Sequence, residues 1–275
     1  MQYKTLIVDG PYLAHRSYGV PYKLTTSTGI NSTMIHSFLV SLHSLHKKFQ
    51  PKNIIVAWES PGTKSWRRQL QPEYKPKKPS DQEFSLQIQD IQQLLLSLGY
   101  RQYTSDTNEA DDVIATLTGT IDNLPCIIFT TDKDIMQLIA CTVIVIYDGK
   151  KIIDQVEVDK KFGVAPNQIP DLLALWGDVS DNIEGVAGIG LTKASRHVRE
   201  FGSIENIPES SGFSKESNLL YLNRKKILLN KQLATLKKDC ILKEIEKNPT
   251  ITIDKILDKY ELKKIKEHIN EYKME

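Results

Sequence analysis

Apolar residues recur along the chain in two rhythms. Thr5-Leu6-Ile7-Val8 is a compact β-branched run that stops at Asp9-Gly10, as a buried strand bounded by a turn does. Asn53 to Trp58, Cys126 to Phe129 and Val143 to Tyr147 repeat that pattern. Between these runs the spacing changes to steps of three and four. Ile35, Phe38, Leu42, Leu45 and Phe49 make one helical stripe, and Phe84, Ile88, Ile91, Leu95 and Leu98 make another, closed by Gly99. Asn108 is placed to cap a further helix running through Val113, Ile114 and Leu117. Strands separated by helices need crossover connections, which predicts a parallel sheet covered on both faces. From about Asp171 the strand rhythm stops, and a helical lobe with a basic segment at Asn223 to Lys238 is expected. The predicted class is therefore α/β, with a core over 1–170 and a helical lobe over 171–275.

The strand ends carry the chemistry. Open parallel sheets bind ligands beyond the carboxyl ends of their strands. Asp9 ends the first run, Glu59 follows the second, and Asp132 and Asp134 follow Ile127 to Thr131. Glu109, Asp111 and Asp112 crowd the start of the helix after Asn108, and Asp178 and Asp181 punctuate a Gly-Asp-Val-Ser-Asp-Asn turn. Taken singly, such acids serve helix dipoles and turns. Brought to one sheet edge, they would repel one another without counter-ions. Hard cations such as Mg²⁺ or Mn²⁺ relieve that repulsion through oxygen ligands, and two of them suit phosphodiester hydrolysis.

Charge matters by place rather than in total, since 36 basic and 34 acidic residues leave a net +2. Lys64, Arg67, Arg68, Lys75, Lys77 and Lys78 face only Glu73, with Trp66 and Tyr74 interleaved. Cations mixed with aromatic faces suit a single-stranded backbone and its bases, although a solvated basic loop has the same composition. Gly185-Val-Ala-Gly-Ile-Gly190 lacks dinucleotide-loop spacing, and Lys193, Arg196 and Arg199 follow it at steps of three. Three dispersed cysteines fit neither a zinc site nor a disulfide framework. His36, His43 and His46 read as ordinary helix residues without carboxylate partners nearby. No phosphate loop for ATP is present. No apolar run approaches the ~18 residues of a membrane span, so a cytoplasmic protein is expected.

Six stretches in order give a specific resemblance: Leu6 to Gly10, Trp66 to Lys75, Glu109 to Val113, Thr131 to Asp134, Gly177 to Asn182 and Gly188 to Gly190. The chain resembles the 5′ nuclease (flap endonuclease) family, of the bacteriophage 5′-3′ exonuclease and bacterial DNA polymerase I nuclease-domain type. The resemblance implies a PIN-like core, a helical arch over about 62–98 that orders on DNA, and a helix-hairpin-helix element in the C-terminal lobe. It implies two metal ions. Asp9, Glu109, Asp111 and Asp132 would hold one, Asp134, Asp178 and Asp181 the other, and Asp112 would support them. Glu59, where the family has Asp, would sit in an outer shell.

The same resemblance assigns Lys75 to the scissile phosphate, Arg67 to transition-state charge and Tyr74 to base stacking. Trp66 and Lys78 would bind the single strand, and Arg16 would hold phosphate near the metals. Gly188 and Gly190 would grip duplex phosphate, with K⁺ on the hairpin carbonyls and Lys193, Arg196 and Arg199 alongside. The expected partner of a monomeric enzyme is DNA with a 5′ flap, branch or 5′-ended duplex, and an RNA primer strand is a further candidate. A catalytically weak flap- or junction-binding relative and a PIN-like RNase stay open as alternatives.

Overall fold

The computed structural model describes residues 3–60, 65–75, 81–140, 143–147, 149–208 and 214–274. The first half winds through β1 (Thr5–Asp9), α1 (Gly10–Tyr18), α2 (Thr33–Phe49), β2 (Asn53–Ala57), α3 (Trp66–Leu70), α4 (Gln82–Ser97), β3 (Arg101–Thr104) and α5 (Ala110–Thr118). It continues through β4 (Cys126–Phe129), a 3-10 turn at Asp134–Leu138, β5 (Val143–Tyr147), β6 (Lys151–Ile153) and α6 (Gln155–Phe162). Next come α7 (Ile169–Trp176), the short hairpin β7 (Gly177–Asp178) and β8 (Ile183–Glu184), and α8 (Leu191–Phe201). The chain closes with α9 (Lys215–Leu222), α10 (Arg224–Ala234), β9 (Lys243–Glu244), α11 (Ile253–Lys259) and α12 (Lys263–Glu267).

The large sheet has the order β6-β5-β4-β1-β2-β3-β9. Its five central strands are parallel, with Ile7 of β1 in register with Ile55 of β2 and Ile128 of β4. Both edges are antiparallel, through β6 and β9. The expected parallel core is thus flanked by antiparallel margins, where three- and two-residue strands are too short to show a rhythm in sequence.

Period-two alternation divides the core between the two faces. Ile7, Ile55, Ala57 and Ile128 point to one side, against α5, α7, α8 and α10. Leu6, Val8, Ile54, Val56, Ile127 and Phe129 point to the other, against α1, α2, α4, α11 and α12. The turn from β1 into α1 needs Gly10, since a Cβ there would lie 2.5 Å from the Trp58 ring and 2.7 Å from a β2 carbonyl oxygen.

Three expectations change. α5 begins at Ala110 with Glu109 at its cap, one residue beyond the cap expected at Asn108. The lobe expected over 171–275 does not stay separate: β9 pairs with β3, and Ile256, Leu257 and Ile265 enter the core beneath the sheet. The described part of the expected arch is packed against the body. α4 buries Ile91, Leu94 and Leu95, because its apolar stripe is a core-facing stripe. Lys64, Pro76, Lys77, Lys78 and Pro79 lie outside the described residues.

Candidate metal centre

The carboxylates gather where β1 and β4 end. Asp9 closes β1 and caps α1, its Oδ1 accepting the Tyr12 N–H at 2.9 Å. Its Oδ2 accepts the Thr130 hydroxyl at 2.7 Å. Thr130 Oγ1 in turn accepts the Asp132 N–H at 3.1 Å, and Asp132 Oδ1 accepts the Asp134 N–H at 2.9 Å. A single hydrogen-bond chain therefore fixes three acids on two neighbouring strand ends. Asp111 joins them from the first turn of α5.

Burial, reinforced by mutual repulsion, shapes their acidity. Burial pushes Asp9 up to about 6 against its two hydrogen bonds, and the charge of Asp132 adds to the rise. Burial lifts Asp111 well above the carboxylate range, with Asp132 and Asp9 contributing. Asp132 rises through burial and the nearby Asp181. Glu109 goes the other way: burial opposes its ionisation, yet Lys75 and Arg67 hold its carboxyl below the usual range.

A second group adjoins the first. Asp134, Asp178 and Asp181 are buried and each turns an oxygen to within 4.8 Å of the others. Asp134 Oδ1 is buried with no hydrogen-bond partner, and burial together with the surrounding acids raises its carboxyl well above the ordinary range. Lys133 pairs with Asp178; although burial opposes it, this ammonium and Ser180 hold the Asp178 carboxyl low. An orphaned buried oxygen among all-oxygen donors fits a hard cation.

Lys75 joins the two groups. Its Nζ lies 3.1 Å from Glu109 Oε2 and 3.7 Å from Asp181 Oδ1. Its backbone is left-handed (φ 47°), a conformation held by its N–H donating to the Asp181 carbonyl at 2.9 Å and by Arg68 donating to its own carbonyl at 2.6 Å. Backbone strain of this kind concentrates at functional sites. Burial opposes the Lys75 charge, but Asp111, Glu109 and Asp181 overcome it and raise the ammonium pKa.

Several residues given sequence-based roles are tied into the packing. Arg67 is 2% exposed. Its Nη1 and Nη2 donate to Asp112 at 2.7 and 2.9 Å, and its Nε donates to the Leu233 carbonyl at 2.7 Å. It bolts α3 to α5 and to the end of α10, and its Nη1 lies 3.9 Å from Glu109 Oε1. Asp112, fully buried, also accepts from the Trp66 indole and the Lys237 N–H. Adjacent helix positions differ by about 100°, so Asp111 and Asp112 cannot both face the strand ends. Tyr74 is buried, its hydroxyl donating to Asp181 at 2.6 Å, and its ring belongs to the core rather than to a base stack. Trp66 is packed with the Arg67 guanidinium 4.6 Å and the Lys237 ammonium 4.4 Å from its ring.

The other predicted residues sit around the rim. Glu59 is exposed beside β2, within electrostatic reach of Glu109 and Lys75. Arg16 is exposed on α1, its guanidinium 5.6 Å from the Phe129 ring centre. Gly188 has φ 84° and, like Gly190, open space where a Cβ would stand. Lys193, Arg196 and Arg199 line the exposed side of α8. Sequence reasoning missed Thr130, Lys133 and Ser65, whose hydroxyl donates to Glu109 at 2.5 Å. Lys133 alone was visible, lying between Asp132 and Asp134.

Fold and site together define a parallel-sheet protein with polycarboxylate strand ends, followed by a helical hairpin. Residues 4–163 match the family described as 5′-3′ exonuclease, N-terminal resolvase-like domain, and residues 164–256 match 5′-3′ exonuclease, C-terminal SAM fold. The 5′-3′ exonuclease of Mycoplasmopsis pulmonis is 34% identical over 276 residues, covering 94% of this chain and 91% of that one. The 5′-3′ exonuclease of Aquifex aeolicus is 36% identical over 209 residues, covering 74% and 72%. Among solved structures, bacteriophage T5 flap endonuclease in a pseudo-enzyme-product complex with DNA and metal ions superposes with a TM-score of 0.70 at 23% identity, covering 98% of both chains. The chain belongs to the 5′-3′ exonuclease family of nucleases.

Proposed function

We propose that this chain hydrolyses phosphodiester bonds near the 5′ end of a DNA strand, at flaps, branches or 5′-ended duplexes, using two divalent cations. The observation that carries the reading is the meeting of two buried carboxylate groups at one sheet edge, joined by Lys75. Asp9, Glu109, Asp111 and Asp132 would hold one ion, and Asp134, Asp178 and Asp181 the other, with Glu59 placed for an outer-shell contact. Oxygen-only donors favour Mg²⁺ or Mn²⁺. Such ions supply an activated water and charge stabilisation at the leaving oxygen.

The chain's own residues do the rest. Lys75 is held over the acids by its strained backbone, and with its side chain 40% exposed its ammonium is positioned to donate to the scissile phosphate. Arg16 lies at the mouth, on the helix capped by Asp9. The open backbone at Gly188 and Gly190, opening α8, suits phosphate contacts that ignore sequence, and K⁺ on the hairpin carbonyls would add to that grip. The T5 relative in complex with DNA and metal ions supports this division of labour. Among the described residues no helix is long and apolar enough to cross a membrane.

The test is cleavage of a labelled 5′-flap duplex in Mg²⁺, Mn²⁺ or EDTA, with an otherwise identical RNA 5′ strand as a second substrate. Cutting should require metal and fall at least a hundredfold in Asp132→Asn while binding of the flap in EDTA stays within a few-fold of wild type. Binding without cleavage in either metal would refute catalysis, and a strict RNA preference would refute the substrate.

A further inference from the structure

On the exposed side of α8 one carboxylate meets several donors. Glu216, in the first turn of α9, places Oε1 2.8 Å from Lys193 Nζ. Its Oε2 pairs with the Arg196 guanidinium and lies 3.3 Å from His197 Nε2. Positions 193, 196 and 197 share a helix face by their spacing. His197 is only 6% exposed, stacked parallel to Phe201 with ring centres 5.9 Å apart. Neither of its ring nitrogens has a hydrogen-bond partner, although Nδ1 lies 3.5 Å from Glu200.

Glu216 and Glu200 already balance the charges of Lys193 and Arg196, so one feature of this arrangement points to an anion other than Glu216. The buried imidazole edge is left unsatisfied beside the carboxylate, and such groups normally find a partner. A backbone phosphodiester presents two charged oxygens spaced much like those of a carboxylate, with ester oxygens besides.

We infer that Lys193, Arg196 and His197 form a seat for one backbone phosphate of duplex DNA, and that Glu216 fills this seat while DNA is absent. The inference rests on the proposed DNA-binding reading and adds to it a built-in competitor. Exposed ion pairs are weak and screened by salt, so DNA held at the hairpin displaces Glu216. The acid thereby subtracts from duplex affinity at this seat.

The test is fluorescence anisotropy of the full chain with a short blunt duplex in EDTA, over a salt series. Glu216→Gln should bind about three- to tenfold more tightly at ~0.1 M salt, with the slope of log affinity on log salt close to that of the wild type, because the seat holds its phosphate in both complexes. Glu216→Ala should do the same. Adding Lys193→Gln and Arg196→Gln to Glu216→Gln should remove the gain. Salt-dependent duplex binding by the wild type with unchanged affinity in both Glu216 variants would overturn this inference alone. No salt-dependent duplex binding by the wild type would overturn the DNA reading with it.

Discussion

At the scale of single residues, chemical type announced the acids but burial decided their roles. Asp111 and Asp112 are neighbours in sequence and separate in function, because α5 turns one toward β1 and β4 and the other toward Arg67. The Arg67–Asp112 pair is dry and fully hydrogen-bonded, so removing one partner strands a buried charge. Arg67→Met should therefore cost about 3–5 kcal/mol in chemical denaturation, the range for breaking a buried pair. It should also weaken divalent-metal affinity in the native protein, since Glu109 loses one of the two cations that keep its carboxylate ionised. Normal stability with lost cleavage would instead restore the transition-state role that its sequence position suggests. Glu109 shows the same principle in reverse, its carboxylate kept ionised by Lys75 and Arg67 in a buried place.

At the scale of elements, the long ones were legible and the short ones were not. β1, β2, β4 and β5, α2 and α4 all follow runs or stripes strong enough to read directly. α3, β6, β8 and β9 have two to five residues, too few to carry a period. The turn before α8 was legible for a different reason, since Gly188 occupies a conformation (φ 84°) that side chains disfavour. Gly188→Ala meets no steric neighbour, so it should lower stability by about 1 kcal/mol through the backbone alone. If the hairpin amides hold phosphate, duplex binding in EDTA should weaken several-fold, and Gly188→Asn, which tolerates this backbone better, should weaken it less. Equal affinity in all three proteins would separate the hairpin from DNA binding.

At the scale of the whole molecule, the acidic edge sets a conflict between folding and charge. Asp9, pushed up to about 6, and Asp111, Asp132 and Asp134, also raised, hold protons in the native protein at pH values where the unfolded chain has released them. The native state then binds more protons, so stability must fall as pH rises through these native pKa values. Glu109 and Asp178 are depressed and act oppositely, but their contribution is complete above the unfolded carboxylate range and is lost only in acid. In EDTA the melting temperature should therefore decline between about pH 5 and pH 8, a slope set by linkage. Saturating Mg²⁺ should cancel or reverse that slope, since ligation requires the deprotonated acids. A metal-free melting temperature that rises over this window would contradict the protonation pattern.

By itself the sequence determined the alternation of strands and helices, the family, and the acids to look for, since periodicity and ordered short stretches are local properties of the chain. Tertiary structure alone decided which carboxylates share a site, because Asp9, Asp111, Asp132 and Asp181 are brought together by strands and turns far apart in sequence. It also buried Arg67, Asp112 and Tyr74. Their charge and aromaticity look the same in a core as at an interface, and only packing tells the two apart. The return of residues 243–274 onto the sheet was likewise invisible, since β9 is two residues long and its partner β3 lies some 140 positions earlier, at Tyr103 and Glu244.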